Sequence, residues 1–270
     1  MGLSAEIRKL FDEHGTEDWW RDGVFDEELW ASAPRKVLFL LKDPNQYGRG
    51  GDEPNGIPQK DFSLVETTQG NAHSIDWDGW VEIARWAYAI LKTGPGVVPD
   101  IKGCHSSVPV PGVSKPVEEW MICRHQVGVM NLKKDPGGAT VVIKDVADWA
   151  RDHKDFLRTQ LQLINPQIVV LCGNRPLKEI AAESFGLSLP ESVMQCGDRE
   201  LKQIAEEVRG LKAPESRMWP YVVANSRLWI GLRHYNRADT DDTFYALVGI
   251  MQAALRDPEA AAVLRGTKGD

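Results

Sequence analysis

Apolar residues fall along this chain in two rhythms. Four short runs are nearly continuous in β-branched and other apolar residues and then give way to polar loops: Lys36 to Leu41 (KVLFLL), Val127 to Asn131 (VGVMN), Gln167 to Leu171 (QIVVL) and Leu228 to Leu232 (LWIGL). Runs of this length and make-up read as strands buried on both faces. Tyr221 to Ala224 (YVVA) reads either as a further strand or as an early part of the last one. Between the runs the apolar positions recur at helical spacing. Asp145 is the predicted cap of a helix carrying Val146, Trp149, Ala150, Phe156, Leu157, Leu161 and Ile164, and Asn165-Pro166 ends it. Further helices are predicted over Trp77 to Leu91, Pro176 to Phe185 and Glu200 to Val208. A last one, capped by Asp239 or Thr240, carries Phe244, Leu247, Val248, Met251 and Leu255. Strands alternating with helices predict an α/β protein, a three-layer α/β/α sandwich around a short, mostly parallel sheet. Two stretches, about 46–76 and 93–117, are predicted long loops. Their Gly- and Pro-rich parts are Gln46 to Pro58 and Thr93 to Pro116.

Composition narrows the class. With 270 residues, 42% of them hydrophobic, the chain has enough apolar material for one α/β domain spanning 1–270. It contains no apolar run of roughly 18 residues and begins without a signal-like stretch, so a soluble, cytoplasmic, monomeric protein is expected. The four cysteines, Cys104, Cys123, Cys172 and Cys196, are scattered without a two-residue spacing, so they are expected to be reduced and structural. No metal and no cofactor are expected. A formal charge of -7 excludes a protein that coats nucleic acid by bulk electrostatics. A local basic strip of Lys133, Lys134, Arg233 and Arg237 is compatible with DNA, and equally with ordinary solvated surface.

In open parallel sheets, ligands bind beyond the carboxyl ends of the strands. The first run leads into Lys42-Asp43-Pro44-Asn45, the second ends in Asn131-Leu132-Lys133-Lys134, the third enters Cys172-Gly173-Asn174-Arg175, and the fourth enters Arg233-His234-Tyr235-Asn236-Arg237. A carboxylate, amides and an imidazole are thereby predicted to meet at one rim. In that order, from about Lys36 to about Val248, the chain resembles the uracil-DNA glycosylase superfamily. KVLFLLKDPN is similar to that family's first motif, a strand ending in a Gly-x-Asp-Pro-like turn, with Leu41 where Gly is usual. VGVMN is similar to the strand that ends in a base-reading Asn, and INPQIVVLCGN to a structural strand. RHYNR keeps the His of the last motif and departs from the rest.

The resemblance implies that Asp43 activates water, that Asn131 reads an extruded base and that His234 assists departure of that base. The chemistry is coherent, because cleaving the glycosidic bond leaves positive charge on the sugar and negative charge on the base. An anion on one side and a donor on the other are each worth roughly 10²- to 10³-fold in rate. The amide of Asn131 suits a uracil-like or a cytosine-like edge according to its orientation. Relatives carry an aromatic between the first two motifs, which here implies Phe62 as a stacking residue, with Trp77 and Trp80 as competitors. Lys133 and Lys134 are expected to hold the DNA backbone, while Tyr235, Asn236 and Arg237 replace the usual wedge loop. Asn45 stands where the uracil-specific branch has a pocket-guarding Tyr. The expected activity is therefore excision of a modified pyrimidine, such as hydroxymethylated or glucosylated cytosine of phage DNA. Alternatives are a uracil-DNA glycosylase, a non-catalytic binder of modified or damaged DNA with the same fold, and an unrelated α/β enzyme acting on a nucleotide or other small molecule.

Overall fold

The computed structural model describes residues 2–14, 19, 22–42, 78–109, 116–135, 142–211, 218–233 and 240–266. Among these residues the strands are β1 (Gly23–Val24), β2 (Val37–Leu41), β3 (Ser107–Val108), β4 (Val117–Glu118), β5 (Val127–Asn131), β6 (Ile168–Cys172), β7 (Tyr221–Ala224) and β8 (Arg227–Leu232). The four apolar runs thus become β2, β5, β6 and β8, each within one residue of its expected bounds. They lie side by side and parallel in the order β5-β2-β6-β8, with β1 antiparallel on one edge and β7 antiparallel on the other.

YVVA is a strand of its own. Asn225 and Ser226, at φ 50° and 57°, form the two-residue turn that reverses β7 into β8. Positive φ at both central positions is the turn whose twist matches that of paired strands.

The helices are α1 (Leu3–His14), α2 (Glu27–Ser32), α3 (Asp78–Lys92), α4 (Glu119–His125), α5 (Ile143–Asp152), α6 (Lys154–Ile164), α7 (Arg175–Phe185), α8 (Glu191–Met194), α9 (Asp198–Val208), α10 (Thr240–Arg256) and α11 (Pro258–Leu264). Alternate strand residues enter two separate cores, the period of two expected of a pleated sheet. Val37, Phe39, Val129, Val170 and Ile230 pack with Trp86 and Ile90 of α3, Ile204 of α9 and Phe244 of α10. Leu38, Leu40, Met130, Val169 and Trp229 pack with Phe11 of α1, Trp149 of α5, Leu157 of α6 and Ile180 of α7. Helices therefore cover both faces of the sheet.

Two expectations are corrected. The helix expected from Asp145 to Ile164 is two helices, broken at His153, which leaves helical geometry at φ -111° and ψ 25°. Its apolar stripe runs on in phase across the break, so periodicity alone could not reveal it. The first of the pair begins at Ile143, and Asp145 lies in its first turn, where a carboxylate favours the helix dipole. The stretch 93–117, expected to be a loop, holds a 3-10 turn (Ile101–His105) and β3, which pairs with β4. Loop 46–76 lies outside the described residues.

Gly231 permits one close approach, since a Cβ there would sit 2.3 Å from Val193 O. The turn of α8 presses directly onto β8 through that gap. Among the described residues, no helix is long and apolar enough to cross a membrane.

Candidate functional site

From the carboxyl end of β2 the chain crosses to β5 on one side, whereas from β6 it crosses to β8 on the other. Opposed connections leave a crevice beyond the ends of β2 and β6. A gap with room for about one water lies against these strand ends, lined by Leu41, Leu132, Cys172, Gly173, Leu177 and Lys178 among others, and Asn131 does not line it.

Hydrogen bonds hold this rim together past the strands themselves. Leu41 is the Cα partner of Asn131. Beyond that pair, Leu132 N–H donates to Leu41 O and Lys133 N–H to Lys42 O, both at 2.9 Å. Gly173 N–H donates to Leu232 O at 3.3 Å and ties the end of β6 to that of β8. Lys42 and Arg233, which directly precede Asp43 and His234 in sequence, are therefore both at the rim. Asp43 and His234 themselves lie outside the described residues, as do Asn45, Phe62, Trp77, Tyr235, Asn236 and Arg237.

Asn131 is 4% exposed, and its surroundings are polar in a way the sequence did not announce. Asp22, the residue before β1, turns its carboxylate onto the end of β5. Oδ2 accepts from Asn131 N–H at 2.6 Å and from Asn131 Nδ2 at 2.9 Å. Lys134 Nζ donates to Oδ1 at 2.7 Å and to Oδ2 at 2.9 Å, and Gln160 Nε2 donates to Oδ1 at 2.6 Å. The Lys134 and Asp22 side chains are 0% and 2% exposed. A carboxylate offers about four lone-pair sites, so this one is saturated with donors. Burial pulls the Lys134 ammonium below its ordinary range, and the Asp22 carboxylate opposes that shift.

Lys134 was expected on the surface, holding a DNA backbone. Instead its ammonium is paired in the interior and lies over the rings of Phe11 and Phe156. Arg233 is also neutralised, by an ion pair with Asp198, and its side chain is 12% exposed. Lys133 is half-buried and faces the rim through its backbone bond to Lys42. Of the four cations proposed as a strip, Lys134 is thus committed to an internal carboxylate, Arg233 is paired with the exposed carboxylate of Asp198, and Arg237 lies outside the described residues.

Sequence reading missed Asp22, Gln160 and Lys178. Gln160 left one signal, as a polar residue filling an apolar-stripe position between Leu157 and Leu161 of α6, at 0% exposure. Lys178, on α7, is 1% exposed and donates to Cys196 O at 3.0 Å. Desolvation lowers its pKa. The four cysteines are free and buried, and burial pushes the thiols of Cys104, Cys123 and Cys196 up to about 12. They are poor nucleophiles in this setting. Trp86 and Trp149 are core residues, and Trp19 packs edge-on against Trp149 and Phe156 with ring centroids 5.0 and 5.1 Å away. Neither a model of a known protein family nor a protein of curated function matches the chain.

Proposed function

We propose that this chain is a DNA glycosylase that receives an extruded pyrimidine at the carboxyl rim of its parallel sheet and hydrolyses the bond between base and sugar. Asp43 orients the attacking water and stabilises the cationic sugar, Asn131 pairs with the polar edge of the base, and His234 donates to the departing base. Asn45 in place of a guarding Tyr points to a pyrimidine substituted at its 5-position, of the hydroxymethylated or glucosylated cytosine kind.

The observation that carries this reading is the junction of β2 and β5. A buried Asn131 amide sits in hydrogen-bonded register with the residues that run into Asp43. A largely buried side-chain amide at such a rim is suited to pairing, because Asp22 takes one Nδ2 hydrogen and leaves the other end of the amide for a ligand.

The test is abasic-site release by the protein and its Asp43→Ala variant. Matched oligonucleotides carry uracil, cytosine, hydroxymethylcytosine or glucosylated hydroxymethylcytosine. Release from one substrate, lowered at least about 10²-fold by the substitution, is expected. Binding without release from any of them would leave a recognition protein.

A second reading draws support from the neutralised cations. Lys134 and Arg233 are spent on Asp22 and Asp198, which suits a small nucleoside ligand better than a polyanion. Release of base from free nucleosides, with no binding to any oligonucleotide, would establish that alternative.

A further inference from the structure

We infer that Asp22 is a positioning residue which fixes the donor–acceptor polarity of Asn131 and thereby selects the kind of pyrimidine edge the site accepts. The inference rests on the glycosylase reading for its substrate and on the described geometry for the rest.

A side-chain amide can rotate half a turn and exchange its oxygen for its nitrogen with little change of shape. Here that rotation is blocked electrostatically. Asn131 Nδ2 donates to Asp22 Oδ2 at 2.9 Å, and the reversed amide would set its Oδ1 against that carboxylate oxygen, two acceptors with no proton between them. The carboxylate cannot turn away, because Lys134 and Gln160 hold Oδ1 at 2.7 and 2.6 Å and the Asn131 backbone N–H holds Oδ2 at 2.6 Å. Water cannot relieve the clash, with Asp22 at 2% and Asn131 at 4% exposure. The amide therefore has one orientation. Among the described residues its Oδ1 and second Nδ2 hydrogen have no partner, which leaves one acceptor and one donor in fixed order for a ligand.

A uracil-type edge offers an acceptor followed by N3–H, and a cytosine-type edge offers an exocyclic amine followed by an N3 acceptor. For a base held in one pose, an amide of fixed polarity matches one of these and opposes the other. Asp22→Asn removes the constraint, since an amide at position 22 can face either end of Asn131. The companion variant Asp22→Asn with Lys134→Met removes the lysine charge that would otherwise be stranded, and the thioether suits the Phe11 and Phe156 rings.

The experiment compares base-release rates of wild type, Asp22→Asn and the double variant on oligonucleotides carrying uracil, hydroxymethyluracil, cytosine and hydroxymethylcytosine. Folding is checked by circular dichroism, and the Asn131 side-chain amide is followed by NMR hydrogen exchange. The expected result is a slowly exchanging Asn131 amide in wild type that exchanges faster in both variants. With it, the ratio of preferred-edge to opposite-edge release should fall by about tenfold or more. A folded variant whose edge preference equals that of wild type overturns the inference even if overall rates drop. If wild type releases no base, the glycosylase reading fails and the edge-selection claim with it, while fast exchange in wild type overturns the lock by itself.

Discussion

His125, the last residue of α4, is 1% exposed, and its Nδ1 lies 2.8 Å from Met121 O. A carbonyl only accepts, so the neutral ring carries its proton on Nδ1. Burial, reinforced by the Arg124 charge and opposed by Met121 O and Asp26, brings the His125 pKa down to about 4 from the 6.5 of an unperturbed ring. Between those values the unfolded chain binds a proton that the folded chain refuses. This contribution to stability is therefore whole above pH about 6.5 and is lost as the pH falls toward about 4. Moving from pH 7.5 to 4.5 should cost about 2.5 kcal/mol through this residue. Urea titrations of wild type and His125→Gln at both pH values will check it, and the loss should shrink by that amount in the variant. Single residues were legible in the sequence where one rule of position covered them. Asn131 was expected at a strand end from the apolar run before it, and it is the last residue of β5. Asp22 was not, because it reaches the same place from the start of a two-residue antiparallel strand, 109 positions away. Lys134 was misread because nothing in a Lys-Lys pair announces that one ammonium turns inward.

At the scale of elements, the turn between β7 and β8 offers a direct test of backbone strain. Ser226 is exposed and held at φ 57°, where a side chain costs roughly 1 kcal/mol and glycine is at ease. Asn225 before it is already a residue that tolerates this region. Ser226→Gly should therefore raise stability by about 0.5–1 kcal/mol, and Ser226→Val should lower it by more than about 1 kcal/mol, both read from urea midpoints. The central strands were legible almost to the residue, because buried parallel strands need unbroken apolar runs and few other elements produce them. The Gly23–Val24, Ser107–Val108 and Val117–Glu118 strands were not, since two residues carry no periodicity. Nor was the break at His153, where the chain bends without disturbing the phase of its buried face.

For the molecule as a whole, the order β5-β2-β6-β8 brings the ends of all four apolar runs to one rim, although neither the order nor the edge strands could be read from spacing alone. The net charge of -7, the internal pairing of Lys134 with Asp22 and the ion pair of Arg233 with Asp198 limit how many phosphates this rim can neutralise. Binding to a duplex oligonucleotide should accordingly depend weakly on salt, with a logarithmic slope of about -1 to -2 between roughly 50 and 200 mM, as fluorescence anisotropy would record. A slope near -6 would instead require a basic surface outside the described residues. The Asp22 cluster also bears on how the protein is made. Synthesis proceeds from the N-terminus at roughly 5–20 residues per second, and the partners of Asp22 lie 109, 112 and 138 positions downstream. The segment that carries Asp22 must therefore wait, with a charge destined for the interior and its counterion Lys134 not yet translated, for on the order of ten seconds before its native environment exists.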